Sequence, residues 1–494
     1  MTERVNGGTL QYTDTVIVFI FRPAADIRGA SAMLGCLVRV LYGELPHEEL
    51  VRAGFFSSLL CFIVGIYWMM RSLKDSVFAS VVGLQYQPMA KMLSLVVVTG
   101  VLFVYNKLVD IVPRHDLFKV ICGGYACIFM LIALMLQSTT YGLYAPDGSS
   151  LPASPDRMLG WVHYFAIESY GSLAVSLFWQ YTNSQVNLKG AKAQYGLIVA
   201  GGQVGAITGC TLVVGSKTFG VAQLYFAGGA LTLVAPLIVS LYLRRFPADH
   251  GGGSAAAAGK NTVHSGLFEG LRLLIRHPYV LGIFAVSALF EIIATILDYQ
   301  MKVLGKAAHS HTADFAAFMG LFGQATNTVS LIFSLVGTSF VIRNLGLRYT
   351  LMLFPTILMG VVAVVYLSPS MWVLFGTMVA IKGVSYALNN PSKEMLYMVT
   401  SDSIKFKAKS WIDVFGGRGS KALGSVVTNM LKGSVAGLMF WGSTISFLIA
   451  AALLGISSVL GSAFDRLSER GEIIGVVGLV TQQSRIAAKP LLIG

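Results

Sequence analysis

Charge is what this chain has least of. Asp, Glu, Lys and Arg make up 12% of its 494 residues, against about 25% in ordinary soluble domains. With 55% hydrophobic residues beside them, a water-soluble domain is excluded and a bilayer protein is expected. Cysteine is also scarce. Cys36, Cys61, Cys122, Cys127 and Cys210 stand in or near apolar segments, and no paired Cys or His cluster completes a metal site around them. They read as small core residues. Acids are few, 23 against 36 Lys and Arg for a net charge of +13, but nucleic-acid binding needs those bases gathered on a solvated face. Here they sit mainly between apolar runs, so nucleic acid is not an expected partner. No nucleophile–base pair or metal spacing appears, which leaves an enzyme without support.

Long apolar runs are what the chain does have. A membrane-spanning helix needs about 20 mostly apolar residues, and candidate spans fall at 55–70, 89–107, 117–137, 159–183, 194–215 and 219–242. A second series falls at 278–300, 315–342, 346–367, 371–389, 408–432 and 436–462. Between the series lies the Gly/Ala/Ser-rich stretch 244–266, which has linker composition. The expected fold class is therefore an all-α integral membrane protein of about twelve helices in two six-helix halves. Its parts are an N-terminal segment (1–52), a first half (53–243), a flexible linker (244–266), a second half (267–464) and a tail (465–494). Lys and Arg gather in the tails and even-numbered loops, which puts both termini on the cytoplasmic side. A removed secretory signal is not expected, because the run Val16–Phe21 is short and no cleavage pattern comes after it.

The informative residues are charges inside spans, each costing about 2.5–3.5 kcal/mol at mid-bilayer on insertion scales. Glu168 interrupts the fourth span, Glu291 and Asp298 share a face of the seventh, and Lys382 interrupts the tenth. In the eleventh, Arg418 and Lys421 project together. Lys382, Arg418 and Lys421 are the bases that lie well inside spans rather than near a span end. Arg71, Lys74 and Asp75 close the first span, and Lys302 comes just after the seventh. Internal ion pairs such as Glu168 with Lys382 explain any one of these charges. As a set they favour a pathway for an anion, because guanidinium and ammonium groups donate strongly to phosphate or carboxylate. Gly416–Lys421 is not a phosphate loop of the Walker type, since its Gly-Lys-Ser/Thr ending is missing and no strand precedes it. His309 and His311 read as a loop pair rather than a metal site.

Five fragments make the chain resemble a known family. They are Arg71-Ser-Leu-Lys74-Asp75, the run from Glu168 to Trp179, Ala317-Phe-Met-Gly320, the run from Asn390 to Tyr397, and the run from Lys405 to Val414. Together they resemble the ATP/ADP translocases of plastids and intracellular bacteria, which are unrelated to the mitochondrial carriers. The resemblance implies a major-facilitator-like fold and exchange of ATP for ADP, sometimes with phosphate or protons. It also implies a multi-pass protein of a plastid or other organelle envelope, or of a bacterial inner membrane. By motif, the family's functional charges fall on Lys74, Glu168, Asp298 and Lys421, with a further lysine at Lys382. Asp298 stands where relatives usually carry Glu, Tyr170 where they carry Trp, and Asn390 where they carry Asp.

The expected substrate-binding set is thus Lys74, Glu168, Asp298, Lys421, Arg418, Lys382, Arg71 and Lys302. Lys74, Arg418 and Lys421 would hold phosphates near mid-membrane, and Glu168 and Asp298 would pair with those cations when the site is empty. ATP and ADP are then cargo, no cofactor is needed, and a monomer suffices. The alternative is a proton-coupled transporter of another nucleotide or organic anion.

Overall fold

A computed structural model describes residues 47–185, 188–247, 266–336, 338–401 and 404–475. Residues 1–46, most of the expected linker at 244–266, and 476–494 lie outside the described residues. Described residues are overwhelmingly helical, and their β-bridges are isolated, Tyr144 with Ser150 and Thr400 with Ile474.

The first half runs through α1 (His47–Phe78), α2 (Gln87–Ile111), α3 (Arg114–Gln137), α4 (Met158–Gln185) and α5 (Leu188–Val214). Its last helix, α6, comes in two pieces, Val221–Thr232 and Val234–Arg245. A short helix, Gly266–Arg276, leads into the second half. Next in order are α7 (Pro278–Ala308), α8 (Thr312–Val336), α9 (Thr338–Leu367) and α10 (Met371–Val384). Helix α11 closes with Gly417–Leu431, and α12 spans Val435–Arg470.

Local chemistry sets many of these boundaries. Proline, which lacks a backbone donor, enters at the first turn of α2 and α7, where no partner is needed. Ser370 and Ser434 cap α10 and α12 by accepting from the amides of Val373 and Gly437 at 3.2 Å. Gly346, at φ 75°, breaks α9 in a conformation that a side chain would disfavour.

By length and composition eight stretches among the described residues are apolar enough to cross a membrane, and the first, Glu48–Val109, takes in most of both α1 and α2. Two expectations about span ends need correction. The first span is expected to end at Met70, but α1 continues to Phe78, because Arg71, Lys74 and Asp75 find partners inside the bundle. Likewise α7 continues to Ala308 rather than ending near 300, with Lys302 fully engaged.

Helix pairing repeats between the halves. Helix α1 lies along α5 as α7 lies along α11, and α3 pairs with α6 as α9 pairs with α12. The halves meet through α2 against α11 and α5 against α8. Each half has its own apolar core, one around Phe56, Phe118, Phe129 and Phe178, the other around Phe290, Phe315, Phe354 and Leu453. Lipid-buried helices gain little from apolar contact with one another, so small residues that allow close approach decide where they touch. At α1–α5 that approach is extreme. A Cβ on Gly205 would lie 2.0 Å from the Cys61 carbonyl oxygen, and one on Gly209 would lie 2.0 Å from that of Gly65.

Two helices are irregular. After Val384, α10 passes through a π-helical turn, Ser385–Asn389, into Asn390–Leu396. Helix α11 begins with two π-helical turns, Ile404–Ala408 and Ile412–Gly416, around Lys409–Trp411. Each such turn inserts a residue and rotates the helix beyond it, a feature common at functional sites. Arg418 and Lys421 are aimed by the second of them.

Candidate functional site

Odd-numbered helices run away from the end of the bundle where α1 begins and α12 ends, and even-numbered helices return to it. The C-terminal part of α1, the start of α2 and the later part of α7 therefore lie toward the same, far side. Here the structure builds a dense network. Lys302 Nζ donates to Asp75 Oδ2 and to Asp298 Oδ2, both at 2.8 Å. Lys91 Nζ donates to the same Asp298 oxygen at 2.9 Å, and Gln87 Nε2 donates to Asp75 Oδ1 at 2.6 Å. Two lysines and two aspartates neutralise one another across the halves. Little solvent reaches them: the Asp75 and Lys302 side chains are 4% and 5% exposed. Beside this network Lys74 is ion-paired to Glu168, and its ammonium lies 4.1 Å from the centre of the Tyr164 ring.

A second set of charges lies nearer the middle. Glu291 precedes Asp298 by seven residues on the same face of α7, about 10 Å along the axis. Its partner is Lys421 on α11, at 3.7 Å, and these side chains are 32% and 54% exposed. Lys421 nevertheless has the charges of Glu291, Arg71 and Glu168, drawn from both halves, within electrostatic reach. Lys421 is thus open to solvent although charges of both halves lie near it. Lys382 on α10 senses Arg71, Asp298, Glu291 and Lys421 without forming a hydrogen bond or ion pair to a described residue. Arg71 donates to the Tyr67 hydroxyl at 3.1 Å and stacks 5.0 Å from the Trp68 ring centre. Arg418 reaches across the halves to donate to the Ser172 hydroxyl on α4.

All eight expected residues thus lie in two neighbouring groups, with one expected pair formed and other partners differing from the expectation. Glu168 pairs with Lys74, one of the three cations expected for it, and not with Lys382, because α4 packs on α1 within one half while α10 belongs to the other. Asp298 pairs with Lys302 and Lys91 rather than with Lys74, Arg418 or Lys421, since it sits two turns beyond the level of Glu291. Lys91 is absent from the expected set. It lies within the first turns of α2, where loop and span cannot be separated by composition. Tyr67, absent too, has a signal in Gly171: a Cβ there would lie 2.2 Å from the Tyr67 ring. The aromatics near Glu168 serve packing instead, with Tyr164, Tyr170 and Phe178 fully buried in the first core. Asp413 is exposed and senses Lys409, Glu394 and Lys393, apart from the central group. His309 is taken up locally, with Nδ1 2.8 Å from the Gly305 carbonyl and its ring stacked on Phe318.

The chain is similar to known proteins along most of its length. The family model described as TLC ATP/ADP transporter matches residues 41–239 and 252–375. ADP,ATP carrier protein 1 of Chlamydia muridarum is 26% identical over 460 residues, covering 81% of this chain and 85% of that protein. ADP,ATP carrier protein 3 of Rickettsia prowazekii is 22% identical over 431 residues, covering 76% and 85%. Among solved structures, a bacterial homologue of the iron transporter ferroportin in an inward-facing state superposes with a TM-score of 0.60 at 11% identity, over 85% of this chain and all (100%) of that one. A mutant of the nucleoside transporter NupG gives a TM-score of 0.52 at 15% identity, over 84% and 99%. At these identities the solved structures establish the fold alone, a transporter fold of the major-facilitator type.

Proposed function

Because the chain belongs to the TLC ATP/ADP transporter family, we propose that it exchanges ATP and ADP, or closely related nucleotides, across a membrane by alternating access. The observation that carries this reading is a mismatch of charge at the centre of the bundle. Asp75, Glu168 and Asp298 are satisfied by Lys74, Lys91 and Lys302. That leaves Arg71, Lys382, Arg418 and Lys421 with Glu291 as the one carboxylate among these described residues that is not already paired with Lys74, Lys91 or Lys302. Uncompensated charge in a membrane protein is costly and is kept for substrate. A nucleoside di- or triphosphate supplies the missing negative charge and accepts bidentate bonds from the two arginines. Tyr67 and Trp68, beside Arg71, offer aromatic faces for a base.

Exchange rather than net flow is explained by the same mismatch. Without a phosphate the cations repel one another as the halves close over them, so the empty carrier reorients less readily than the loaded one. Glu291 is the internal anion that substrate displaces from Lys421. One chain supplies both walls of the site, in keeping with a monomer, and the basic loops favour termini on the cytoplasmic side. Labelled ATP should enter vesicles preloaded with ADP far faster than empty ones. Equal uptake by the two would contradict exchange, and uptake driven by an imposed pH gradient without competition from ATP would point to proton coupling.

A further inference from the structure

We propose that Asp75, Lys91, Asp298 and Lys302 form a latch that closes the far end of the pathway and must open once in each transport cycle, with Lys91 holding Asp298 in place. This rests on the alternating-access reading above. It moves Asp298 and Lys302 out of the substrate contacts and into the gate.

Two of the network's bonds cross between the halves, Lys302 to Asp75 and Lys91 to Asp298. Others gather at the same end. Thr312 Oγ1 donates to Ser80 Oγ at 2.7 Å, Ser216 Oγ to the Ala313 carbonyl at 2.8 Å, and Lys217 pairs with Asp314 at 2.8 Å. Lys432 at the end of α11 lies 5.6 Å from the centre of the Tyr86 ring, just before α2. Solvent exposure points the same way. Glu291 and Lys421 at mid-depth are open, whereas Asp75 and Lys302 are sealed. Water therefore reaches the centre from the end where α1 begins and α12 ends, and stops at this network.

The latch is suited to being broken and remade. Its two acids and two bases balance when the halves meet, so closing strands no charge. On opening, Lys302 stays with Asp298 on its own helix, an i to i+4 pair on α7. Asp75 then keeps the amide of Gln87 from its own half. Asp75 and Lys91 both lose their only ion-pair partner among the described residues, and Lys91, with no such amide to hold it, is the residue whose removal should favour opening most selectively.

The test is labelling of a cysteine at the closed end. Thr312 is 5% exposed, and Thr312→Cys in vesicles with the far side outward would be treated with a membrane-impermeant maleimide, after subtracting labelling of the parent chain. No nucleotide is involved, so the result stands whatever the cargo. In that background Lys91→Gln should raise the labelling rate about tenfold, a population shift of about 1.4 kcal/mol. Lys91→Arg should keep the slow rate, because it preserves the charge. Asp75→Asn, which cuts the other bond between the halves, should also speed labelling and serves if Lys91→Gln fails to insert. Unchanged labelling in both Lys91→Gln and Asp75→Asn, or labelling of Lys91→Arg as fast as that of Lys91→Gln, would overturn the latch.

Discussion

The far-end network and the central cations are both charged clusters that draw on α1 and α7, yet they differ in balance and in access to water. In the first, lysines and aspartates match and are between 4% and 19% exposed; in the second, Arg71, Lys382, Arg418 and Lys421 outnumber Glu291, and Lys421 is 54% exposed. The difference teaches how one bundle separates holding from carrying. Matched buried charge holds the halves in register at one end, and unmatched solvated charge waits for cargo.

That contrast can be broken by substitution, most severely at Lys302. Lys302→Gln leaves Asp75 and Asp298 facing each other out of water, and removal of one partner from a buried ion-pair network costs about 3–5 kcal/mol. Thermal unfolding in detergent should show a much less stable protein, and a parent-like melt would mean that water already reaches the network. Next comes Lys421→Ala. Its pair with Glu291 is long and solvated, so stability should change by no more than about 1 kcal/mol. Loss of a charge-assisted bond to phosphate, about 1.5–3 kcal/mol, should instead lower the kcat/KM of exchange roughly 10- to 100-fold. Near-normal uptake would remove Lys421 from the site. Lys382→Gln should act through charge alone, raising KM several-fold with little change in kcat, and a pure loss of kcat would assign it to the conformational step. The smallest effect belongs to Tyr67→Phe, which frees Arg71 from a single neutral acceptor worth about 1 kcal/mol. Exchange should survive with a modestly weaker KM.

Much of the fold is legible in the sequence because bilayers are strict about composition. Apolar length locates the helices, the Gly/Ala/Ser stretch separates two series of them, and the cost of charge inside a span marks Glu168, Asp298, Lys382, Arg418 and Lys421. Pairing is only partly legible, because it depends on which helices are neighbours and how each is rotated. Glu168 meets Lys74 only because α4 lies on α1. Lys91 is hidden for another reason. A lysine near a helix start usually extends toward water with its stem along the apolar surface, and only the approach of α7 turns it inward to Asp298. The breaks in α11 leave no apolar signature either, since a π-helical turn shifts the face presented without changing composition.

The most direct measurement of the division between carrying and holding is ATP-dependent thermal stabilisation of the purified protein. A ligand that binds only the folded state stabilises it by about 2.7 kcal/mol at a hundredfold excess over Kd. The account predicts that ATP raises the melting temperature of the parent and of Lys91→Gln, and that the rise is lost in Lys421→Ala. A full rise in Lys421→Ala, or none in Lys91→Gln, would contradict it.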